Sequence, residues 1–319
     1  MTSDEDTTDS KKSHGESQKF PADLDRALEQ SEREVRKITK QGTPGADDSL
    51  TIARAQITTF DPVPQPIWRM VNFAIGRSGK INTLAEGMVF GFKKLILNIA
   101  KDPTLGGGAG ATTVRAALGA VSSDVIVATA VIHAVTRKLH AREFKTVWGP
   151  ILDDAILRAH IGFHAGARSR QFGSGRGMLA GFSGRVGLAI LIAMGTGEQA
   201  QTAITNLSSG KSISDVARDT YRCDPLHVSA MLLSAVGCGS DATIGIGSYA
   251  AKDRLQLNED QQGWLSALTI TELARKGELP PEGSEDWEIL GFKSLDDIEK
   301  FTLTATKIKR RGHGWSWLM

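Results

Sequence analysis

Cysteine is scarce in this 319-residue chain, which has only Cys223 and Cys238 and no CxxC pattern. Two cysteines so spaced cannot build a disulfide framework or a four-thiolate zinc site, so we expect two small buried thiols in a reducing compartment. Excess charge of one sign is also missing, because the net charge is +2. A nearly balanced chain has no overall field that would attract nucleic acid or acidic lipid.

Long apolar runs are absent as well. The N-terminus is polar and acidic, where a secretory signal needs an apolar stretch. The apolar stretch 125–135 is too short to cross a bilayer, and Arg185 interrupts the next apolar stretch along the chain. We therefore predict a soluble, cytoplasmic protein with no membrane contact.

Helical periodicity is what the chain does have. Aromatic residues make up 6% of it, and strand-like alternation of β-branched and aromatic residues is sparse. From residue 50 onward, segments rich in Ala, Leu and Ile repeat with helical spacing. The expected helices are 50–58, 64–75, 82–90, 92–101, 112–139, 146–171, 176–194, 198–207, 212–220, 225–236, 240–250 and 257–275. The pattern predicts an all-α, multi-helix bundle.

Composition divides the chain into three parts. Residues 1–48 form an N-terminal segment, with a polar tail expected to be disordered, one short helix and a linker over 42–48. Residues 49–255 form the main helical domain, and 256–319 a helical C-terminal extension that ends in a basic tail. The glycine-rich stretch 106–110 lacks the Lys-Ser/Thr ending of a phosphate-binding loop, so an inter-helix loop is the favoured interpretation.

Three blocks, in order along the chain, are similar to motifs of the HDOD family, the catalytically degenerate relatives of HD-type metal-dependent phosphohydrolases in bacterial signalling. The first block resembles DPxLxxxLLRLxNSA and the segment that follows it, the second resembles a helix that begins LWxHS, and the third resembles xDHxExGxxLL. They lie at Asp61–Ala74 with 81–95, at Val147-Trp148 leading to 179–188, and at Cys223–Leu233. The likeness spans about residues 50–250, whereas 101–145 is longer than the family pattern.

The departures from the family pattern decide what function the resemblance implies. HD enzymes hold metal with a His on one helix, a His-Asp pair on the next and a distal Asp, and the metal activates water and polarises a phosphoryl oxygen. Here the first position falls on Pro150 and the pair on Gly184 and Arg185. Glycine has no ligand atom and a guanidinium repels a divalent cation. The resemblance thus implies a regulatory module without enzymatic activity, metal or cofactor, which acts through protein partners of unknown identity.

A degenerate site still leaves a pocket that can bind without reacting. The resemblance places Arg185 in that pocket, with Arg158, His164, Asp224 and His227 as neighbours if the helices converge as in the family. A buried arginine needs an anion. Asp224 is the slightly favoured internal partner, and the phosphate of a nucleotide second messenger is the alternative.

Two further functions remain open at this stage. A residual phosphohydrolase would relocate its ligands to His160, His164 and Asp224, although the two histidines lack the acidic neighbour of an HExxH pattern. The basic tail, which includes Trp315 and Trp317, would bind nucleic acid by charge and stacking, but a solvated end is the favoured interpretation. Asp153 and Asp154 are interpreted as the acidic first turn of a helix.

Overall fold

A computed structural model describes residues 20–39, 46–75, 84–108, 110–249 and 256–318. Within these ranges the chain forms 15 α-helices and no strand, which confirms the all-α prediction. The helices are α1 Phe20–Thr39, α2 Ala46–Phe60, α3 Gln65–Ala74, α4 Leu84–Lys101, α5 Val114–Ala120, α6 Ser123–His140, α7 Lys145–Gly166, α8 Ser174–Met194, α9 Gly197–Ser208, α10 Ile213–Tyr221, α11 Pro225–Ala235, α12 Ser240–Gly247, α13 Glu259–Lys276, α14 Glu285–Ile289 and α15 Leu295–Arg311.

Some helix boundaries differ from the prediction. The helix expected over 112–139 is two helices, because Val121 and Ser122 have extended backbone and turn α5 away from α6 by 111°. The helices expected over 82–90 and 92–101 are one helix, α4. α2 begins at Ala46, so residues 46–48 of the expected linker are helical. The tail expected to be disordered, residues 1–20, lies outside the described residues except for Phe20, at which α1 begins.

The N-terminal helix α1 packs on the bundle, against α2, α11 and α12. Leu28 and Val35 on its inner face are fully buried. Glu32 forms ion pairs with Arg36 on α1 and Arg54 on α2, which tie the two helices together. Burial alone would raise the pKa of Glu32, but hydrogen bonds from these two arginines outweigh it and lower the pKa. The domain boundary at residue 48 stays a prediction.

The most extensive contact in the described structure is between α7 and α8, which lie side by side with their backbones touching. A Cβ atom built on Gly162 would lie 2.1 Å from the carbonyl oxygen of Gly177. A Cβ atom built on Gly181 would lie 2.2 Å from the carbonyl oxygen of Arg158. Only glycine fits at these positions, so this glycine seam sets the distance between the two helices.

Helix α8 is long and apolar enough to cross a membrane by length and composition, despite Arg185. However, 89% of its apolar window is buried inside the protein, against α6, α7, α11 and α13. A helix enclosed in this way is apolar because it forms the core of the bundle. The compartment in which the protein resides stays a prediction.

The C-terminal extension covers the bundle with α13, α14 and α15. α13 packs on α7, α8 and α12, and α15 packs on α7 and α13. A cluster of Trp287, Phe292 and Phe301 joins α14 to α15, with ring centroids 4.9–6.0 Å apart. Through α13, side chains of the extension reach the two central helices.

We expect Gly162→Ala to destabilise the protein by about 1–3 kcal/mol, because the new methyl group meets backbone that cannot move aside. Gly149→Ala, also in α7, is the matched control, since its Cβ meets no atom within 4 Å. It should be neutral or stabilising by about 0.5–1 kcal/mol. Denaturant unfolding of both variants measures the difference, and equal effects would contradict the close contact.

Candidate functional site

Two of the three positions that the resemblance assigns to lost metal ligands, Gly184 and Arg185, lie where α8 faces α13. Pro150 is exposed in the first half of α7, and Asp154 follows it by one helical turn. Gly184 and Arg185 lie on α8, one turn beyond the glycine seam at Gly181. The seam therefore brings Arg185 to the Asp154–Arg158 face of α7.

Three arginines and two carboxylates from α7, α8 and α13 meet at this point. Arg158 Nη1 donates to Glu272 Oε1 (2.6 Å), and Arg158 Nε donates to Asp154 Oδ2 (2.8 Å). Arg185 Nη1 donates to both carboxylate oxygens of Glu272 (3.1 and 3.2 Å). Arg185 Nε lies 3.2 Å from Asp154 Oδ2, and Arg275 Nε donates to Asp154 Oδ1 (2.6 Å). We call these five residues the arginine–carboxylate network.

Much of this network is shielded from water. The side chain of Arg158 is 3% exposed, that of Glu272 10% and that of Arg185 15%. Arg275 is 37% exposed and forms the outer edge. Since buried charges require partners, each arginine here is held by a carboxylate, and one positive charge remains in excess.

Gly184 makes room for this arrangement. A Cβ atom built on Gly184 would lie 2.3 Å from Glu272 Oε1. A histidine at this position, as in the HD pattern, would therefore displace the Glu272 carboxylate. The absence of a side chain at Gly184 therefore leaves the Glu272 carboxylate its place.

The network combines attraction between unlike charges with repulsion between its arginines. Burial alone would raise the pKa of Asp154, but the nearby Arg158 and Arg275 outweigh it and hold that pKa below the ordinary range. Burial and the nearby Arg185 lower the pKa of Arg158, and the opposing effect of Glu272 and Asp154 does not fully offset them. The carboxylates are thus engaged with arginines. Within the described residues no group of three or more His, Cys, Asp or Glu side chains is placed to hold a metal ion.

Asp224 and His227 lie elsewhere, at the start of α11, and the expected Arg185–Asp224 pair is wrong. Asp224 caps α11 through Leu226 N–H (2.9 Å) and accepts from Arg218 (2.8 Å). Its own N–H donates to Ser49 Oγ (2.7 Å), which also lies 2.7 Å from His227 Nδ1. Burial lowers the pKa of His227. These contacts fasten α2 to α11.

His164 lies near the C-terminal end of α7, beside His160, with ring centroids 5.5 Å apart. Burial lowers the pKa of each to about 4, so both are neutral at pH 7. The structure thus brings Arg158 and Arg185 together, places Asp224 with His227, and leaves His164 apart from both pairs. Trp315, assigned to a solvated tail, is instead buried against His160.

Sequence reasoning missed the carboxylates of the network. Asp154 was assigned to a first helical turn, but α7 begins at Lys145, and Asp154 pairs with Arg158 at i,i+4 spacing. That spacing was the one available signal. Glu272 lies 87 residues beyond Arg185, in a part of the chain assigned to the extension, and no local pattern connects them.

Comparison with known proteins places this geometry in a fold class. No protein-family model and no curated protein matches the sequence. Two solved structures match over most of both chains. An HDOD domain protein of unknown function from Geobacter sulfurreducens has a TM-score of 0.60 and 15% identity, over 83% of this chain and 97% of that one. A protein from Shewanella amazonensis SB2B, named provisionally as a phosphohydrolase, has a TM-score of 0.52 and 16% identity, over 82% and 95%.

A third structure, of a protein from Marinobacter aquaeolei VT8 named provisionally as a signal transduction protein, has a TM-score of 0.59 and 14% identity. The match covers 91% of this chain, which spans 66% of that protein. At such low identities these likenesses show the fold alone. The chain has the fold of an HDOD domain protein, as the sequence motifs implied.

We expect Glu272→Ala to destabilise the protein by about 3 kcal/mol, because it removes the closest partner of a buried arginine. The double variant with Arg185→Ala should lose less than the sum of the single losses, by about 0.5–3 kcal/mol. Equilibrium unfolding of the four proteins in this cycle measures the coupling.

The exposed pair Lys211–Asp219 provides the control cycle, since both side chains are about half exposed. Its coupling should stay below about 1 kcal/mol. Coupling between Arg185 and Glu272 no larger than this would mean that the network contributes little to folding.

Proposed function

We propose that this protein is a non-catalytic regulatory module of the HDOD type, which acts in bacterial signalling through contacts with protein partners. The single observation that carries the proposal is the arginine–carboxylate network. At the positions where the HD pattern places a metal, Arg185 is bound by Glu272 and Asp154. The site is thus filled by side chains of the protein itself.

The network disfavours phosphohydrolysis on physical grounds. Metal-dependent hydrolysis needs a cation that activates water and polarises the phosphoryl group. A divalent cation here would have to detach the carboxylates from three guanidinium groups, which stay charged at all ordinary pH values. Relocated ligands gain no support either, because His160 and His164 lie on α7 away from Asp224, which is held by Arg218.

The same arrangement weighs against a nucleotide second messenger as the partner of Arg185. A phosphate would have to displace Glu272, which already accepts from both Arg185 and Arg158. Binding of nucleic acid through the basic tail is disfavoured because Trp315 is buried and Trp317 is half-buried against the core, which leaves little aromatic surface for base stacking. A cytoplasmic location is part of the proposal, supported by two buried free cysteines.

A thermal-shift screen tests the proposal. We expect the unfolding midpoint to stay unchanged with manganese, mononucleotides or cyclic dinucleotides, and we expect no phosphoester hydrolysis at saturating manganese. A ligand at about 100 times its dissociation constant would stabilise the protein by about 2.7 kcal/mol, which is a shift of several degrees. A shift with manganese accompanied by turnover would overturn the proposal.

Arg185→Ala separates a structural arginine from a ligand-binding one. The variant should unfold at a lower temperature than the wild type and show the same absence of ligand response. Lys211→Ala, at an exposed ion pair, is the control and should unfold like the wild type. A nucleotide shift that is present in the wild type and absent in Arg185→Ala would instead assign Arg185 to an anion site.

A further inference from the structure

After α15 the chain folds back over α6 and α7. Gly312 and Gly314 have positive φ values of 79° and 71°, a region that glycine enters without strain, and they reverse the chain direction. Trp315 is 1% exposed and Leu318 is fully buried, whereas Ser316 between them is exposed. We call residues 312–318 the C-terminal segment.

The surface beneath the segment recognises both its backbone and its side chains. His160 on α7 stacks on the indole of Trp315, with ring centroids 4.4 Å apart and planes 22° from parallel. Nδ1 of His160 lies 2.9 Å from the carbonyl oxygen of His313, and Nδ1 of His133 on α6 lies 3.0 Å from that of Leu318. A carbonyl oxygen only accepts, so both histidines donate from Nδ1.

These contacts have the form of a peptide-binding site. Hydrogen bonds to backbone carbonyls hold a peptide of any sequence, and buried side chains add selectivity. Here the selective elements are an indole and a leucine three residues later. The contacts involve none of the five residues of the arginine–carboxylate network, so they do not depend on the function proposed above.

We propose that the His133–His160 surface of α6 and α7 is a binding site for a Trp-Xaa-Xaa-Leu peptide, filled here by the protein's own C-terminal segment and open to the same motif in trans. The segment is short, and only its Trp315 and Leu318 side chains are fully enclosed, whereas Trp317 is half-buried. Its occupancy rests on the high effective concentration that the covalent connection to α15 provides. A peptide that carries the motif, in a partner protein, competes with the segment for the surface.

Protonation opposes occupancy of the site. The groups that face His160 are His164 on α7, Asp102 after α4 and His313 of the segment, and Asp153 faces His313. Burial lowers the pKa of His160 to about 4, and hydration on release would return it toward about 6.5. The released state therefore binds protons more readily, and occupancy falls as pH decreases from about 6.5 to 4. Protonation of His313 also opposes occupancy, because its Nδ1 accepts a hydrogen bond from the backbone N–H of Trp315 (2.9 Å) and cannot accept one when protonated.

A labelled peptide of residues 312–318 tests the site with full-length protein. Trp315→Ala frees the surface, so this variant should bind the peptide in a fluorescence anisotropy titration at pH 7.5. The wild type should bind at least about tenfold more weakly because its own segment competes. A peptide with Ala in place of its first Trp should not bind. Leu303→Ala, at an exposed leucine of α15, is the control and should behave like the wild type.

Equal affinity of wild type and Trp315→Ala, or no binding by a Trp315→Ala protein with native circular dichroism, would overturn the proposal. If Trp315→Ala does not fold, Leu318→Ala frees the same surface with a smaller change and takes its place under the same criteria.

Hydrogen exchange of residues 312–318 as a function of pH tests the role of His160. After correction for intrinsic rates, protection of the segment should fall by up to about tenfold per pH unit below pH 6.5, while α7 and α8 stay protected. His160→Gln keeps a donor without a titrating group and should flatten this dependence. The same dependence in wild type and His160→Gln would show that His160 does not control release.

Discussion

The close approach of α7 and α8 along the glycine seam is the constraint on which the rest of the structure depends. Because Gly162 and Gly181 admit no side chain, the two backbones touch. This contact fixes where Arg185 on α8 stands relative to Asp154 and Arg158 on α7. It also explains why α8 is apolar enough to resemble a membrane span, since neighbouring helices enclose it on its other faces. A seam of glycines thus determines both the core and the geometry of the site.

The arginine–carboxylate network joins three helices through charges that the protein itself supplies. Here arginines from α7 and α8 supply the positive charge, and Glu272 from α13 supplies the negative charge. Gly184 leaves the space that the Glu272 carboxylate occupies. In the proposed function, this network holds together the scaffold on which protein partners act.

The sequence predicts the helices well and the pairing poorly. Helical periodicity located α7, α8 and α11, and the motifs pointed to Gly184 and Arg185, the second of which belongs to the network. The predicted partner of Arg185 was wrong, because the positions of charged residues in a sequence do not determine which of several distant carboxylates will pair with a given arginine. Asp224 was favoured because it lies in one of the family-like motifs, but in the structure it pairs with Arg218 at α11. The carboxylate that pairs with Arg185 is Glu272, in the part of the chain that was assigned to the extension. The role of Trp315 was missed because a basic tail looks solvated until its tertiary contacts are known.

The measurement that tests the central claim most directly is nuclear magnetic resonance of the arginine Nε–H groups. If Glu272 and Asp154 hold Arg158 and Arg185, their guanidinium signals should be resolved, exchange slowly with water, and keep their positions when phosphate or nucleotide is added. Arg222, exposed at the end of α10, provides the comparison for fast exchange. Rapid exchange of the Arg158 and Arg185 signals, or a shift of the Arg185 signal on addition of nucleotide, would contradict a site filled by the protein's own charges.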